Sequence, residues 1–306
     1  FEATADDAIN INTSAGVCVA RIDDRTFDLG GRPDHRGVRQ SFSVQAGDRL
    51  RVFDPAEGAL VCEALVRSVR AGEGAGVWRV GMDRGCPALR PATDEAAQIV
   101  YNDNAVGAGF VIRSNVFRDI RRYGLVCQSH DGVVQDNLFE GVSGNAIALM
   151  NTIHSGSGFA PRNVVIRANT FRDCYIQALT PRGRGHAAVV ALALEKQGYG
   201  PARWRGIENV TIEDNVFVNW REVPALLVSN ARGVTISRNR FTAGEEVAAC
   251  FLSEPSAAIV IDNAQEVSGA GNRISDSRLN GQPAVKALSG ATHKVQISSD
   301  TTTTKR

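Results

Sequence analysis

Two adjacent carboxylates, Asp6 and Asp7, stand directly ahead of a short apolar stretch in FEATADDAINI, where the sequence begins. Like charges held side by side raise the pKa of one member, which then keeps a proton closer to neutral pH. Cleavage of a glycosidic bond needs two carboxyl groups, one to protonate the leaving oxygen and one to activate water or attack the sugar. The pair therefore suits acid–base chemistry on a sugar, and a solvated turn is the simpler alternative.

A recurring phrase shows which elements position this pair. The phrase is apolar-x-apolar-x-x-Asn-x-Phe, and its shortest repeats are 22 and 24 residues apart. The copies end at Phe117, Phe139, Phe171, Phe217 and Phe241, with a weaker copy ending at Ile274. Alternating apolar residues indicate strands with one buried face, and the Asn predicts a turn in the left-handed backbone conformation. Rungs of this length, extended by loops, predict an all-β, right-handed parallel β-helix.

The residues after each phenylalanine also align, and this alignment includes Phe1. The eighth position is apolar in all four copies, namely Ile9, Leu125, Ile147 and Leu179. Equivalent positions of successive rungs stack ~4.8 Å apart. The aspartates are therefore expected beside a polar column of candidate substrate-binding residues: Arg122, Tyr123, Asn145 and Gln177.

Strand alternation predicts which side chains near the pair face outward. With Ile9 and Ile11 pointing inward, Ala8 points outward together with two further candidate substrate-binding residues, Asn10 and Asn12. A buried carboxylate without a partner is costly, so the backbone is expected to turn at Asp7 and leave both aspartates facing solvent.

The repeat is interrupted once by a different pattern. Residues 14–98 contain alternating strands joined by glycine-rich turns, which predict a small antiparallel barrel inserted between two rungs. The predicted organisation is therefore the end of a rung at 1–13, the barrel at 14–98, β-helix rungs at 99–298 and a disordered tail at 299–306. The alignment at Phe1 predicts a coil that begins upstream of this sequence. A second excursion around residues 180–206 is expected to wall a groove.

Composition excludes several classes of partner. A formal net charge of +1 gives no general attraction for nucleic acid, and no segment is long and apolar enough to span a membrane. The six cysteines show no CxxC spacing, so buried free thiols are expected, with a disulfide left open. The five histidines are isolated from one another. No metal site and no cofactor are predicted, and the oligomeric state stays open.

One further carboxylate is a candidate catalytic group. Glu195 ends the strand-like stretch AVVALALE and could supply a carboxyl at a distance from the aspartate pair. An ordinary exposed glutamate is the alternative.

Several of these motifs together resemble glycoside hydrolase family 110. They are DDAININ, the insert with HRG and AGDRLRVF, the return at RRYGLV, then VVQDNLF and GNAIAL, so that the resemblance runs from residue 1 to about 220. It implies a right-handed β-helix and an inverting exo-acting hydrolase of terminal α-1,3-linked galactose. It also implies functional roles for Asp6, Asp7, Arg122 and Gly124, with Glu195 matching a later glutamate. Asn12 and Thr13 stand where the family has His-Gly.

The resulting expectation is a carbohydrate-active enzyme, an inverting exo-acting α-glycosidase with Asp6, Asp7 and Glu195 as catalytic residues. Its partner is an oligosaccharide or polysaccharide, and its expected location is extracellular or periplasmic. The alternatives are a non-catalytic glycan-binding or surface β-helix and another polysaccharide-degrading β-helix enzyme.

Overall fold

The computed structural model describes residues 1–33, 37–92, 97–153, 157–175, 187–198, 200–220, 223–243, 257–279, 282–288 and 293–301. Their regular structure consists of β-strands and two single-turn 3-10 helices, Asp103–Ala105 and Ser277–Leu279. Within these ranges no helix has the length and apolarity needed to cross a membrane. The predicted fold class is confirmed, since the chain combines a parallel β-helix with a closed antiparallel barrel.

One face of the coil is a sheet of seven parallel strands. In spatial order they are β1 (Ile9–Ile11), β10 (Leu125–Cys127), β13 (Ile147–Met150), β16 (Val190–Ala193), β19 (Leu226–Ser229), β22 (Ile259–Asp262) and β24 (Val285–Ala287).

The rest of the coil is a twelve-stranded sheet built from two parallel columns. The first column is β8 (Val111–Arg113), β11 (His130–Gln135), β14 (Arg162–Arg167), β17 (Ile207–Glu213) and β20 (Ala231–Ser237). The second column is β9 (Val116–Arg118), β12 (Leu138–Glu140), β15 (Thr170–Arg172), β18 (Val216–Val218) and β21 (Arg240–Ala243).

A long strand joins these two columns. β23 (Gln265–Asp276) pairs with β20 through its first half and with β21 through its second half. β25 (His293–Thr301) then pairs with β23 and includes the first three residues of the segment 299–306 that the sequence predicts to be disordered. Residues 302–306 lie outside the described ranges.

Two stacked ladders explain why the repeat needs Asn and Phe. The phenylalanine ladder stacks face to face at centroid distances of 4.4 to 5.2 Å, and its members are Phe1, Phe117, Phe139, Phe171, Phe217 and Phe241. The asparagine ladder is Asn115, Asn137, Asn169, Asn215, Asn239 and Asn272. In it the amide oxygen of each Asn after Asn115 accepts the backbone N–H of the preceding ladder Asn, as Asn215 does from Asn169 at 3.0 Å. The side-chain amide of Asn169 donates in turn to the carbonyls of Val134 and Arg167.

The left-handed residue of each turn is not the Asn that the sequence indicates. The residue immediately before it takes that conformation, with φ between 52° and 70° at Ser114, Asp136, Ala168, Asp214, Arg238 and Gly271. The prediction was wrong because the Asn side chain is needed inside the coil. There it satisfies buried backbone groups that would otherwise lack partners.

The predicted register holds for the first three rungs and fails at the fourth. Ile9 pairs with Leu125 and Leu125 with Ile147, as the alignment predicts. Ile147 then pairs with Val190 rather than with Leu179, which lies outside the described residues. The strand of the fourth rung is therefore β16, which belongs to the stretch AVVALALE. It lies within the segment 180–206 that the sequence predicts to be an excursion.

The inserted barrel is closed by six antiparallel strands. Their order is β2 (Gly16–Arg21), β3 (Thr26–Gly31), β6 (Val77–Met82), β5 (Ala59–Ala71), β4 (Arg49–Asp54) and β7 (Ile99–Asn102). β7 belongs to a stretch that the sequence assigns to the returning coil. It instead closes the barrel, because β2 and β4 each present an edge to it.

A disulfide cross-links the barrel, and a cluster of ion pairs joins it to the coil. Cys62 and Cys86 form the disulfide. The expectation of buried free thiols is confirmed at Cys18, Cys127 and Cys174, whereas Cys250 lies outside the described residues. At the junction with the coil, the buried Asp103 accepts a hydrogen bond from Arg162 at 2.9 Å, and Arg51 of β4 lies 3.5 Å from its other oxygen.

Candidate functional site

The aspartate pair lies where β1 joins the next rung. The backbone N–H groups of Ala8 and Ile9 donate to the carbonyls of Tyr123 and Gly124 at 2.9 and 3.1 Å. This pairing sets Asp6 and Asp7 beside the turn that precedes β10. The structure thus places the pair next to Arg122 and Tyr123, as the alignment predicts.

Arg122 contacts both carboxylates. Its Nη1 donates to Asp6 Oδ1 at 2.8 Å, and its Nε lies 3.8 Å from Asp7 Oδ1. The backbone N–H of Asp7 also donates to Asp6 Oδ1 at 3.0 Å. Asp6 is therefore oriented by two donors, while Asp7 has the weaker contact with the guanidinium.

The two carboxyls differ in their exposure and in their pKa. The Asp6 side chain is 73% exposed, and its hydrogen bond from Arg122 lowers its pKa below the ordinary value. The Asp7 side chain is only 14% exposed, and burial raises its pKa, with the charge of Asp6 adding to the effect against the opposing charge of Arg122. The expectation that both aspartates face solvent is therefore wrong for Asp7. Ala8 also differs from its prediction, because it packs against the core of the coil.

A hydrogen-bonded series of amides, here called the amide chain, leads from β10 to Asp7. Asn10 Oδ1 accepts from Asn12 Nδ2 at 2.8 Å and from Gln128 Nε2 at 3.5 Å. Asn10 Nδ2 donates to Asp7 Oδ2 at 3.3 Å. Asn10 and Asn12 are exposed, as predicted from strand alternation, whereas Gln128 is fully buried. Sequence reasoning missed Gln128, although it follows β10 at the position that pairs beside Asn12.

Tyr123 is influenced by the charges of both Asp7 and Glu195. Its ring lies under the Arg122 guanidinium, 5.4 Å from ring centroid to Cζ. The pKa of its hydroxyl is raised to about 12, mainly by burial and to a smaller extent by the negative charges of Glu195 and Asp7, while Arg122 opposes the rise. Tyr123 is thus within electrostatic reach of both carboxylates.

Glu195 is positioned by the neighbouring rung. It lies two residues after β16, and its backbone exchanges two hydrogen bonds with the Asn151 side chain, at 2.8 and 3.1 Å. The residue is only 5% exposed, so the interpretation as an ordinary exposed glutamate does not hold.

The predicted polar column is shorter than the alignment suggests. Asn145 is buried, and its amide donates to the Ala188 carbonyl at 2.7 Å, so this side chain supports the turn. Gln177 lies outside the described residues. The positions that pair beside Asn10 in the following rungs are apolar and buried, namely Val126, Ala148 and Ala191. The polar groups near the aspartates are therefore at β1 and in the residues on either side of β10.

Other candidate groups lie apart from this site. His130 is buried, with its ring nitrogens 2.6 Å from an Asp131 oxygen and 2.9 Å from the Asp103 carbonyl. In the part of the chain that the structure describes, no group of three or more His, Cys, Asp or Glu side chains could hold a metal ion. A cavity of about 390 Å³ opens on the barrel, lined by Ser43, Val44, Gln45, Asp48, Asn102, Asn104 and Ala105.

Comparisons with known proteins give little beyond this geometry. No protein-family model and no curated protein matches the chain. Among solved structures, the chain is similar to the Pseudomonas phage phi297 tailspike gp61, with 12% identity and a TM-score of 0.35 over 95% of this chain. It is also similar to the tailspike protein gp49 from Pseudomonas phage LKA1, with 11% identity and a TM-score of 0.25 over 99% of this chain. The chain spans 56% and 65% of the lengths of these two proteins. At these scores neither structure bears on the residues of the candidate site.

Proposed function

We propose that this chain is a glycan-acting parallel β-helix protein that hydrolyses a terminal α-linked sugar with inversion, as glycoside hydrolase family 110 does. The observation that carries the proposal is a pair of adjacent carboxyls whose surroundings shift their pKa values in opposite directions. A sheltered carboxyl with a raised pKa keeps the proton that a general acid must deliver, while its ionised neighbour stays charged.

Asp7 is the proposed general acid. Its carboxyl is largely sheltered, and the raised pKa keeps it protonated to a higher pH than Asp6. In the reaction this proton passes to the glycosidic oxygen while the bond to the anomeric carbon breaks. The departing sugar or aglycone then leaves as a neutral hydroxyl compound.

Glu195 is the proposed general base. In inverting glycosidases the base removes a proton from the attacking water, and the two carboxyls lie roughly 6.5 to 9.5 Å apart to leave room for it. Asp6 and Asp7 contact one guanidinium, which leaves little space for water between them. Glu195 follows β16, two rungs beyond β10, and its charge acts on Tyr123, which lies beside the aspartate pair. The water oxygen bonds to the anomeric carbon, and the proton gained by Glu195 balances the one lost by Asp7.

The remaining polar groups are proposed to bind the sugar. Asn10 and Asn12 are exposed amides that can both donate to and accept from hydroxyls. Arg122 offers further donors, and Asp6 holds its guanidinium in place. The half-buried Tyr123 ring gives an apolar surface for a sugar face.

A non-catalytic glycan-binding site is the second candidate, and one observation favours it. Glu195 is 5% exposed, so its access to water depends on space next to Tyr123. A site of this kind keeps Asn10, Asn12 and Arg122 as ligand contacts and has no turnover.

Aryl α-galactosides and α-1,3-galactosyl oligosaccharides test the proposal, with the wild type compared with Asp6→Asn, Asp7→Asn and Glu195→Gln. Loss of an acid or base is expected to lower the rate about 10²- to 10⁴-fold. Asp136→Asn is the matched control because this aspartate is exposed on the opposite sheet and Asn accepts its left-handed conformation. NMR of the first product formed should show the β-anomer.

The possible results separate the candidates. Rates that fall in the Asp7 and Glu195 variants but not in the control support the hydrolase. Binding of the oligosaccharides without turnover supports the glycan-binding alternative. Full activity in all three site variants refutes the site.

The disulfide supports the proposed location. Disulfides persist mainly in secreted and periplasmic proteins, because the cytosol keeps thiols reduced. The bond between Cys62 and Cys86 is therefore consistent with an extracellular or periplasmic glycan as the substrate.

A further inference from the structure

Gln128 is a buried side chain that the fold alone does not explain. It is 0% exposed, and only one end of its amide has a partner among the described residues. Its Oε1 is buried and accepts no hydrogen bond there. A buried acceptor without a donor costs stability, so an apolar side chain of the same size would serve the packing better.

The surrounding backbone leaves Gln128 little freedom. Its N–H donates to the Ile11 carbonyl at 2.9 Å, which fixes the residue beside β1. Gly158 packs so closely that a Cβ added there would lie 1.8 Å from Gln128 Oε1, and its φ of +69° itself favours glycine. The side chain is therefore held with its Nε2 toward Asn10.

The amide of Asn10 is oriented by the groups that donate to it. Two amide donors, from Asn12 and Gln128, converge on Asn10 Oδ1. If the Asn10 amide turned over, its own N–H groups would face these donors and both hydrogen bonds would be lost. The Asn10 N–H that remains must then point to Asp7 Oδ2, as the 3.3 Å contact shows.

We propose that Gln128 is a positioning residue that acts through Asn10 to hold the Asp7 carboxyl in one orientation. One of the Asp7 oxygens faces Asn10 and the other faces Arg122. The proton of Asp7 is thereby directed away from the Asn10 donor. The inference rests on the proposed function only in naming Asp7 as the acid, since the hydrogen bonds themselves do not depend on it.

The groups that face Asp7 define what a titration would report. They are Asp6, Arg122 and Tyr123, with the charge of Glu195 acting on Tyr123 from two rungs further along the coil. The Asn10 donor favours the ionised form of Asp7 and so limits the rise in pKa that burial causes. Weakening the amide chain should raise the pKa of Asp7 further.

The test is ¹³C NMR titration of the Asp7 carboxyl, together with urea denaturation, in the full chain and in Gln128→Met. Asn10→Leu is a second variant at an exposed position. We expect the pKa of Asp7 to rise by up to about one pH unit in Asn10→Leu and by less in Gln128→Met. The urea midpoint of Gln128→Met should stay the same or increase, because an unsatisfied buried acceptor is removed.

Gln98→Met is the matched control. Gln98 is also buried, but both ends of its amide are used, accepting from the Arg90 N–H at 3.1 Å and donating to Asp54 at 3.4 Å. This variant should lower the urea midpoint and leave the pKa of Asp7 unchanged. A merely structural role for Gln128 would give the same result as Gln98.

The outcomes for the two proposals are distinct. A shift in the pKa of Asp7 without hydrolysis of any sugar tested supports the positioning role and counts against the hydrolase. Hydrolysis by the wild type, with an unchanged Asp7 pKa and unchanged rate in Gln128→Met, overturns the positioning role alone.

Discussion

Two sets of side-chain amides in this molecule have different partners. In the asparagine ladder the amides bond both to one another and to backbone groups of the same and neighbouring rungs, as Asn169 does. In the amide chain the side chains of Gln128, Asn12 and Asn10 hydrogen-bond to one another and then to a carboxylate. The first set repeats with the coil, whereas the second occurs once.

The difference shows how a repeat protein separates stability from function. A residue that recurs in every rung satisfies a need that every rung has, such as partners for buried backbone groups. A polar group that appears in one rung and is replaced by apolar residues in the next answers no such need. Asn10, followed by Val126 and Ala148 at the paired positions, is of the second kind.

The largest effect is expected from interrupting the phenylalanine ladder. Phe171 is buried between Phe139 and Phe217, with centroid distances of 5.2 and 4.7 Å. Phe171→Ala should lower the free energy of unfolding by about 3–5 kcal/mol, because it leaves a cavity in a stacked core. Urea denaturation measures this.

Thr242→Ala is the comparison for that prediction. Thr242 follows the ladder residue Phe241 in β21 but is exposed, so we expect a loss of about 0.5 kcal/mol or less. Equal losses in the two variants would show that burial in the ladder does not determine the loss.

A smaller effect should distinguish the two sets of amides directly. Asn169→Ala removes the acceptor for the Asn137 N–H and the donor to two buried carbonyls, at a cost of about 2–3 kcal/mol. Asn10→Ala should change the free energy of unfolding by about 0.5 kcal/mol or less, because Asn10 is exposed. Denaturation and hydrolysis of an aryl α-galactoside, measured on both variants, give the comparison.

The two variants are expected to have opposite effects on stability and on the rate of hydrolysis. Asn169→Ala loses stability and keeps the rate per folded molecule, while Asn10→Ala keeps stability and loses rate. A ladder variant that loses activity while fully folded would contradict the separation.

The smallest effect concerns pH and compares Asp7 with Asp6. The pKa of Asp7 is raised by folding, so its penalty on the folded state begins as the pH rises above the unfolded pKa, and is complete above the folded pKa. Asp7→Asn should therefore gain stability relative to the wild type as the pH rises through this window. Denaturation midpoints from about pH 3 to about pH 7 measure the trend.

Asp6→Asn should show the opposite trend. The folded pKa of Asp6 is lowered, so its contribution to stability is present above the unfolded pKa and is lost as the pH falls through the folded pKa. The variant should be less stable than the wild type at neutral pH and approach it in acid. Parallel curves for the two variants would mean that Arg122 and burial do not distinguish the aspartates.

The sequence predicts the features that recur in every rung, such as the Phe and Asn ladders. It does not predict features found in a single rung, such as the shelter of Asp7. The Phe and Asn positions follow from the recurring phrase, and the pairing of Ile9 with Leu125 follows from the alignment of the residues after each Phe. The fourth rung was misplaced because Ala178–Leu179 repeats the small-then-apolar pattern of the earlier rungs, whereas Val189–Val190, which contains the residue that pairs with Ile147, does not. The shelter of Asp7 depends on Tyr123 and Arg122, which are 115 or more positions away in the sequence. The residues next to Asp7 in the sequence therefore could not predict it.

The closure of the barrel between β2 and β7 bears on the order in which the chain folds. Asp6 and Arg122 are 116 positions apart, and bringing such distant segments together has a large loop-closure entropy. Once the barrel forms, the pairing of Gly16 with Val100 brings the two ends of the insertion together and leaves only short connections to close. We therefore expect the barrel to form first, and the contact between Asp6 and Arg122 to form after the ends of the insertion have been joined.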